Sequence, residues 1–505
     1  MAADSLSTGP PATGPGQSPG RRWSARARRL AQRIPPARRF PLAMAAVFLA
    51  CSLAWWVAFY PGLMSYDSFT YTWEATTGHW INDHSIPYVA GVWLSLHLSG
   101  TYAPLTFCQI VAAAGLVGYL AAGLERFAIR RRWIAGAVVL CGVLPPTGEF
   151  FVFVWKDVPF VLGALAAAGA LLHLVGGWLR VPRSARRSAP GRRAPWLVLG
   201  VGMLLMCLAR NNGFLTVVCT GLVLLACVPW HWRRIASVTA VPVLVYVFLV
   251  TVVYPAAGVQ PQKNNSAYSF FYADLAYGYS KDPGLFTKAQ LSAMAAVAPL
   301  EHWRTAGAQC WDSDPLTISS QFHAAAATTN RSQLLSAFTT VLKRAPQYVA
   351  DAQLCRAHNA WAVFPDHPIL VAPVDYTGPY HAAVVSHPEL AHNPFHQAFH
   401  SRPLSRTAHR AGHWWYDLSR TPQLEWILWG GAVWCYLTYA WILRLTRRVR
   451  RRELLAAAAV MAGLQLTVLI ATPAPLYRYM AGPTVLGVLL LPLACSRLRL
   501  PEDPP

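Results

Sequence analysis

The sequence predicts an all-α protein that crosses a membrane many times, and three observations carry that expectation. Hydrophobic residues make up 54% of the 505 residues, charged residues only 13%, and the mean hydropathy is +0.31. A soluble domain carries about 25% charged residues, so a water-soluble enzyme is excluded. Apolar runs long enough to span a bilayer, roughly 17–25 residues each, recur along the chain. The formal charge of +22 is concentrated beside them, with 28 of the 43 basic residues in six Arg-rich stretches that border apolar runs. That is the positive-inside pattern of a membrane protein, and it accounts for the charge with no nucleic-acid partner.

Residues 1–40 are rich in Pro, Gly, Ser and Arg and read as a disordered cytoplasmic tail that cannot bury a core. The first apolar run, 41–59, has no small-residue cleavage site behind it, the pattern of a retained signal anchor. With the Arg-rich loops inside, an odd number of crossings must connect residue 60 to Arg126. Two apolar pieces intervene, 86–98 and 104–124. The shorter one, which carries His97, is expected to lie along the outer interface within a first outer loop, 60–103. Further crossings follow at 133–150, 158–178, 195–209, 214–230 and 235–254 and complete an N-terminal transmembrane core over 41–255. Residues 256–424 mix charges, aromatic residues and histidines with short helix-like patterns at 287–297 and 332–342. They read as a mainly helical extracytoplasmic domain. Residues 425–496 supply crossings at 425–443, 454–472 and 480–495, and residues 497–505 form a cytoplasmic tail, so ten crossings with both ends inside are expected.

Eight of the ten cysteines lie in apolar runs, where cysteine behaves as a small hydrophobe. Cys310 and Cys355 fall in the extracytoplasmic domain, where a disulfide and a pair of free thiols are both open readings. His392, His396 and His400 have the i, i+4, i+8 spacing of metal ligands on one helix face. Pro394 interrupts that helix, and no metal or other cofactor is assigned.

The outer ends of the expected spans carry the ionisable groups. The first outer loop holds Asp67, Glu74, Asp83 and His84; the hairpin near residue 150 holds Glu149, Lys156 and Asp157. The turn near residue 211 is Arg210-Asn211-Asn212-Gly213, and the last outer turn carries Arg478 and Tyr479. Such groups near membrane depth cost several kcal/mol unless paired, hydrated or used. Arg and Lys suit a lipid-linked phosphate, and a nearby carboxylate suits a general base acting on an acceptor hydroxyl. Bland readings stand beside this one. Lys156 and Asp157 could be an ion pair at a helix start, Arg210 could snorkel, Asn211-Asn212-Gly213 could be only a tight turn, and Arg478 could anchor the interface. Asp67 sits between aromatic residues with no cation adjacent in sequence and has the weakest bland reading.

The stretch Tyr60-Pro-Gly-Leu-Met-Ser-Tyr-Asp67-Ser, followed by Asn82-Asp83-His84-Ser-Ile-Pro87, resembles the first outer loop of the GT-C glycosyltransferases. These are multispanning enzymes that use polyprenyl-phosphate sugars. The Trp155-Lys156-Asp157-Val-Pro159 hairpin, the Arg210–Gly213 turn and Arg478-Tyr479 are similar to the same group. The resemblance implies an inverting transferase on the outer face of the plasma membrane. It implies Asp67 as catalytic base and Lys156, Arg210, Arg478 and Tyr479 at the donor phosphate, with Asp83, His84, Glu149, Asp157, Asn211 and Asn212 as further substrate-binding candidates. Its partners would be a polyprenyl-phosphate sugar, membrane lipid and a glycan, lipid or protein acceptor. One departure is that Ser85 and Ile86 separate His84 from Pro87. The alternative class is a transporter or flippase of lipid-linked or anionic substrates. Transporters place charges near the midplane and are often built from paired repeats; here the charges cluster at outer ends and no repeat is visible.

Overall fold

The computed structural model describes residues 35–181, 193–372 and 384–498. Most of the expected N-terminal tail, part of the Arg-rich loop after residue 180 and all but the first two residues of the C-terminal tail lie outside these. Among the described residues the chain is all-helical, with three isolated backbone bridges and no strand. Six helices are long and apolar enough to cross a membrane, eight if two sharply bent pairs each count as one span. They mark a membrane-embedded helical protein.

Local chemistry explains where the helices begin, bend and stop. Helix α1, Pro36–Ala58, starts on a proline and buries Met44, Phe48, Ser52 and Trp55 at helical spacing. The expected third span is broken: α5, Arg131–Val143, meets a short helical piece over Pro145–Val152 at 85°, because Leu144 is extended before Pro145 and Pro146 and a residue preceding proline disfavours the α region. The expected eighth span likewise bends by 52° between Pro422–Leu428 and Gly431–Val449. The expected fifth and sixth spans are helices Arg193–Ala209 and Gly213–Cys227, of 17 and 15 residues. Ile86–Ser99 (α3) is a separate helix of 14 residues.

The centre of the bundle is α6, Asp157–Trp178, which packs against Ala103–Leu124 (α4) and Arg193–Ala209 (α7) and has 89% of its apolar window buried. The span Pro229–Ala256, with 11% buried, is peripheral. Glycines permit close approaches: a Cβ on Gly213 would lie 2.0 Å from the Met206 carbonyl oxygen, so only glycine fits the tight turn between α7 and Gly213–Cys227 (α8).

Residues 256–424 divide. One part has its own core, built around Tyr272, Leu275, Met294, Trp303 and Val341. The other part, including Ala360, Ile369 and Phe399, joins the main core. His392 and His396 fall on two separate short turns, Pro388–His392 and His396–Phe399, with His400 following. The continuous helix that would align the three histidines is therefore not formed. Cys310 and Cys355 are joined by a disulfide.

Candidate functional site

The site begins with a backbone fit between two segments far apart in sequence. Leu63 and Phe153 form a bridge: the Leu63 amide donates to the Val152 carbonyl at 3.0 Å and the Val154 amide to the Leu63 carbonyl at 2.8 Å. Gly62, at φ 152°, allows this approach, since a Cβ there would meet Val152 O at 2.9 Å. The Trp155 indole N–H donates to Ser65 Oγ at 2.6 Å, and Ser65 caps α2, Tyr66–Thr77, through a reciprocal capping box with Ser68. Asp67 therefore sits in the first turn of a capped helix, beside the Trp155-Lys156-Asp157 segment.

Asp67 forms an ion pair with Arg478, from a position 411 residues later in the chain. Arg210 Nη1 lies 2.9 Å from Asp157 Oδ1, in a geometry that leaves both Asp157 oxygens without a hydrogen bond. Between these pairs stands the Tyr479 ring, 4.4 Å from the Arg210 guanidinium and 5.6 Å from that of Arg478, distances at which a cation is attracted to the ring face. Lys156 interacts electrostatically with both Asp67 and Asp157 while its Nζ donates to the Asp83 carbonyl at 3.1 Å. The adjacent Lys156 and Asp157 thus turn to different partners. Lys156, Arg210 and Arg478 thus converge on the carboxylates of Asp67 and Asp157.

Burial alone would raise the Asp67 carboxyl, but Arg478 above all, with Lys156 adding to it, holds it well below the usual carboxylate range. Burial lowers the Lys156 ammonium, with Asp67 and Asp157 pulling it back. A narrow cleft beside Arg210 is bordered by Phe160, Asn212, Thr216, Leu464, Thr467 and Tyr479.

The remaining sequence candidates occupy other positions. Asn211 Nδ2 donates to the Asn82 carbonyl at 2.7 Å and Asp83 Oδ1 accepts from the Lys263 amide at 3.0 Å, so both hold the first loop in place. His84 Nδ1 lies 2.7 Å from Glu74 Oε1, behind Asp67, and its ring packs on Tyr71 at 4.8 Å. Glu149 is apart from the group: the bend at Pro145 carries it into a separate pocket with Trp155, Trp429 and Tyr477, where it interacts with Arg420. Sequence reasoning missed Asp314, whose carboxyl interacts with both Arg478 and Asp67 and which burial, then Asp312, raises to about 6. Nothing in its spacing could have placed it there, since it arrives with the segment 256–424. Among the described residues the one cluster of three metal-type ligands is Cys310, Cys355 and His367, and the disulfide uses two of them.

The Glu74–His84 pair gives a pH prediction. Burial raises the Glu74 carboxyl from 4.5 to about 8 and lowers the His84 imidazole from 6.5 to about 3, so the contact at neutral pH joins neutral groups. Between pH 4.5 and 8 the folded protein keeps a Glu74 proton that the unfolded chain releases, and stability falls as pH rises. Between 6.5 and 3 the unfolded chain gains a His84 proton that the folded protein refuses, and stability falls as pH drops. The two cancel from 4.5 to 6.5. This pair should therefore contribute a loss of stability above 6.5 and below 4.5, each proton contributing about 1.4 kcal/mol per pH unit. Glu74→Gln should abolish the loss above 6.5 and extend the acid loss up to 6.5. Melting temperatures across pH 4–8 measure both limbs, and unchanged curves in the variant would remove this assignment.

No family model, no curated protein and no solved structure matches this chain.

Proposed function

We propose that this protein is an integral-membrane glycosyltransferase that moves a monosaccharide from a polyprenyl-phosphate donor to an acceptor hydroxyl on the extracytoplasmic face of the plasma membrane. The observation that carries the reading is the meeting of Asp67 with Arg478, Arg210, Lys156 and Tyr479 at one place, from four separate parts of the chain. In this reading all ten expected segments cross, with the short helices at 193–209 and 213–227 among them.

The chemistry follows from the charges. A phosphodiester carries one negative charge, which converging Arg and Lys side chains can hold. Arg478, Arg210 and Lys156 hold its oxygens, and the wall of Phe160 and Leu464 in the adjoining cleft suits the prenyl end. In the resting pair with Arg478, Asp67 is a poor base. Phosphate binding draws Arg478 away and restores the basicity of Asp67, so the base is strongest once the donor is in place. The acceptor oxygen then attacks the anomeric carbon, its proton passes to Asp67, and the bond from the sugar to phosphate breaks with inversion. The lipid phosphate leaves with the electron pair of that bond, its charge stabilised by the same cations.

Full-length protein in lipid nanodiscs, given a radiolabelled polyprenyl-phosphate sugar and a mixture of envelope acceptors, should release polyprenyl phosphate and form a labelled glycoconjugate. Movement of intact donor across a sealed vesicle with no new bond would replace this reading with a transporter.

A further inference from the structure

Arg478 and Tyr479 follow a loop, residues 472–476, that the membrane helices alone do not hold. Pro473 and Pro475 lack an amide N–H, and neither can donate a backbone hydrogen bond. Backbone carbonyls buried at such a place need partners, and the source of those partners is informative. The Thr472 hydroxyl bonds Ala474 O at 2.8 Å. The other four carbonyls accept from the segment 256–424, Leu476 O also from the Tyr479 amide at 3.1 Å. Arg356 Nε donates to Thr472 O at 3.2 Å, the Ser313 amide to Pro473 O at 3.0 Å and the Leu370 amide to Pro475 O at 3.1 Å, and Asn359 Nδ2 to Leu476 O at 3.2 Å. The Tyr477 amide, one residue before Arg478, donates to Leu370 O at 2.9 Å.

Two of these donors are cross-linked. Ser313 lies three residues after Cys310 and Arg356 one residue after Cys355, and the disulfide joins those cysteines. Arg356 is fully buried and fixed by an ion pair with Asp274 and a 2.9 Å bond to Gln353 Oε1. It cannot swing away from the loop without breaking both. Asp314, next to Ser313, interacts with Arg478 and Asp67, so the same strap also brings a carboxylate to the site.

We propose that Arg356 and the Cys310–Cys355 disulfide are positioning elements: they hold the 472–476 loop so that Arg478 stands where it can take the donor phosphate. This rests on the donor-phosphate role assigned to Arg478 above. Misplacing a binding group by about 1 Å can cost on the order of 10²-fold, so a slackened loop should weaken donor binding while leaving acceptor binding alone.

The test uses folded full-length protein in nanodiscs, with the disulfide opened by a phosphine reductant and the thiols counted and alkylated. A C310S/C355S variant is run in parallel, so that failure of the variant to fold does not decide the result. Hydrogen exchange followed by mass spectrometry reads the amides of Ser313, Leu370 and Tyr477. Steady-state transfer reads donor and acceptor KM separately. Opening the bridge should speed exchange at Tyr477 and Ser313 about tenfold or more and raise donor KM about tenfold, with acceptor KM and the protection of α6 unchanged. Arg356→Met should do the same with the disulfide intact. Unchanged exchange at Tyr477 overturns the proposal, as does faster exchange with an unchanged donor KM. Protein that transfers no sugar in any state overturns the glycosyltransferase reading instead, and the exchange data then still report whether the strap holds the loop.

Discussion

Asp67→Asn should lower sugar transfer by roughly 10²–10⁴-fold, the range expected for loss of a general base, while donor affinity holds or improves. The second half of that statement separates the base from a mere structural anion. Asp67 occupies Arg478 in the resting protein, so an asparagine there leaves the guanidinium free for phosphate. A side chain that only shaped the pocket would weaken donor and transfer together. The variant keeps the Ser65–Ser68 capping box that starts α2, and folding should survive. The measurement is kcat and donor KM in nanodiscs beside the melting temperature. Full transfer by a normally folded Asp67→Asn protein would end the assignment of the base, whatever else the site binds.

How far the sequence could reach is clearest at particular residues. Asp67, Lys156, Arg210 and Arg478 were legible because each sits just outside an apolar run, and charge beside hydrocarbon demands a reason. Which charge meets which was not legible. Neighbours in sequence suggest a Lys156–Asp157 pair. The helix start at Asp157 instead sends one side chain to Arg210 and the other to the Asp83 carbonyl. Glu149 looked equivalent to the others until the break at Pro145-Pro146, an 85° bend, turned it into a separate pocket. The helices expected at 287–297 and 332–342 form as Lys288–Val297 and Arg331–Arg344, because caps and periodicity are local properties. The grip of residues 256–424 on the loop 472–476 is a set of hydrogen bonds between positions more than 100 apart, and it leaves no local trace in composition or spacing.

The Asp67–Arg478 pair itself should be resolved by a double-mutant cycle. Each side chain is about one-fifth exposed, at 20% and 19%, so the pair lies between a surface bridge worth about 0–1 kcal/mol and a fully buried one, where removing a single partner costs about 3–5 kcal/mol. Arg478→Met leaves the Asp67 carboxylate without its ion-pair partner, held only by Tyr71 and the charge of Lys156, and should cost about 1–3 kcal/mol of stability. Adding Asp67→Asn to that variant should return most of the loss, because a neutral amide needs no counter-ion. Transfer should stay absent in the double variant, since both the base and a phosphate ligand are gone. Stability recovered without activity is what a functional ion pair predicts. An interfacial anchor predicts otherwise: Arg478→Met would loosen the end of helix Tyr477–Leu490 to the same degree whether residue 67 is Asp or Asn. Coupling below about 0.5 kcal/mol, the scatter expected of independent sites, would favour the anchor. Arg478→Lys sharpens the choice, because it keeps the charge but loses both the planar fork and the stacking of a guanidinium on Trp155 and Tyr479. An anchor should tolerate that exchange, whereas a phosphate ligand seated between two aromatic faces at 5.9 and 5.6 Å should not.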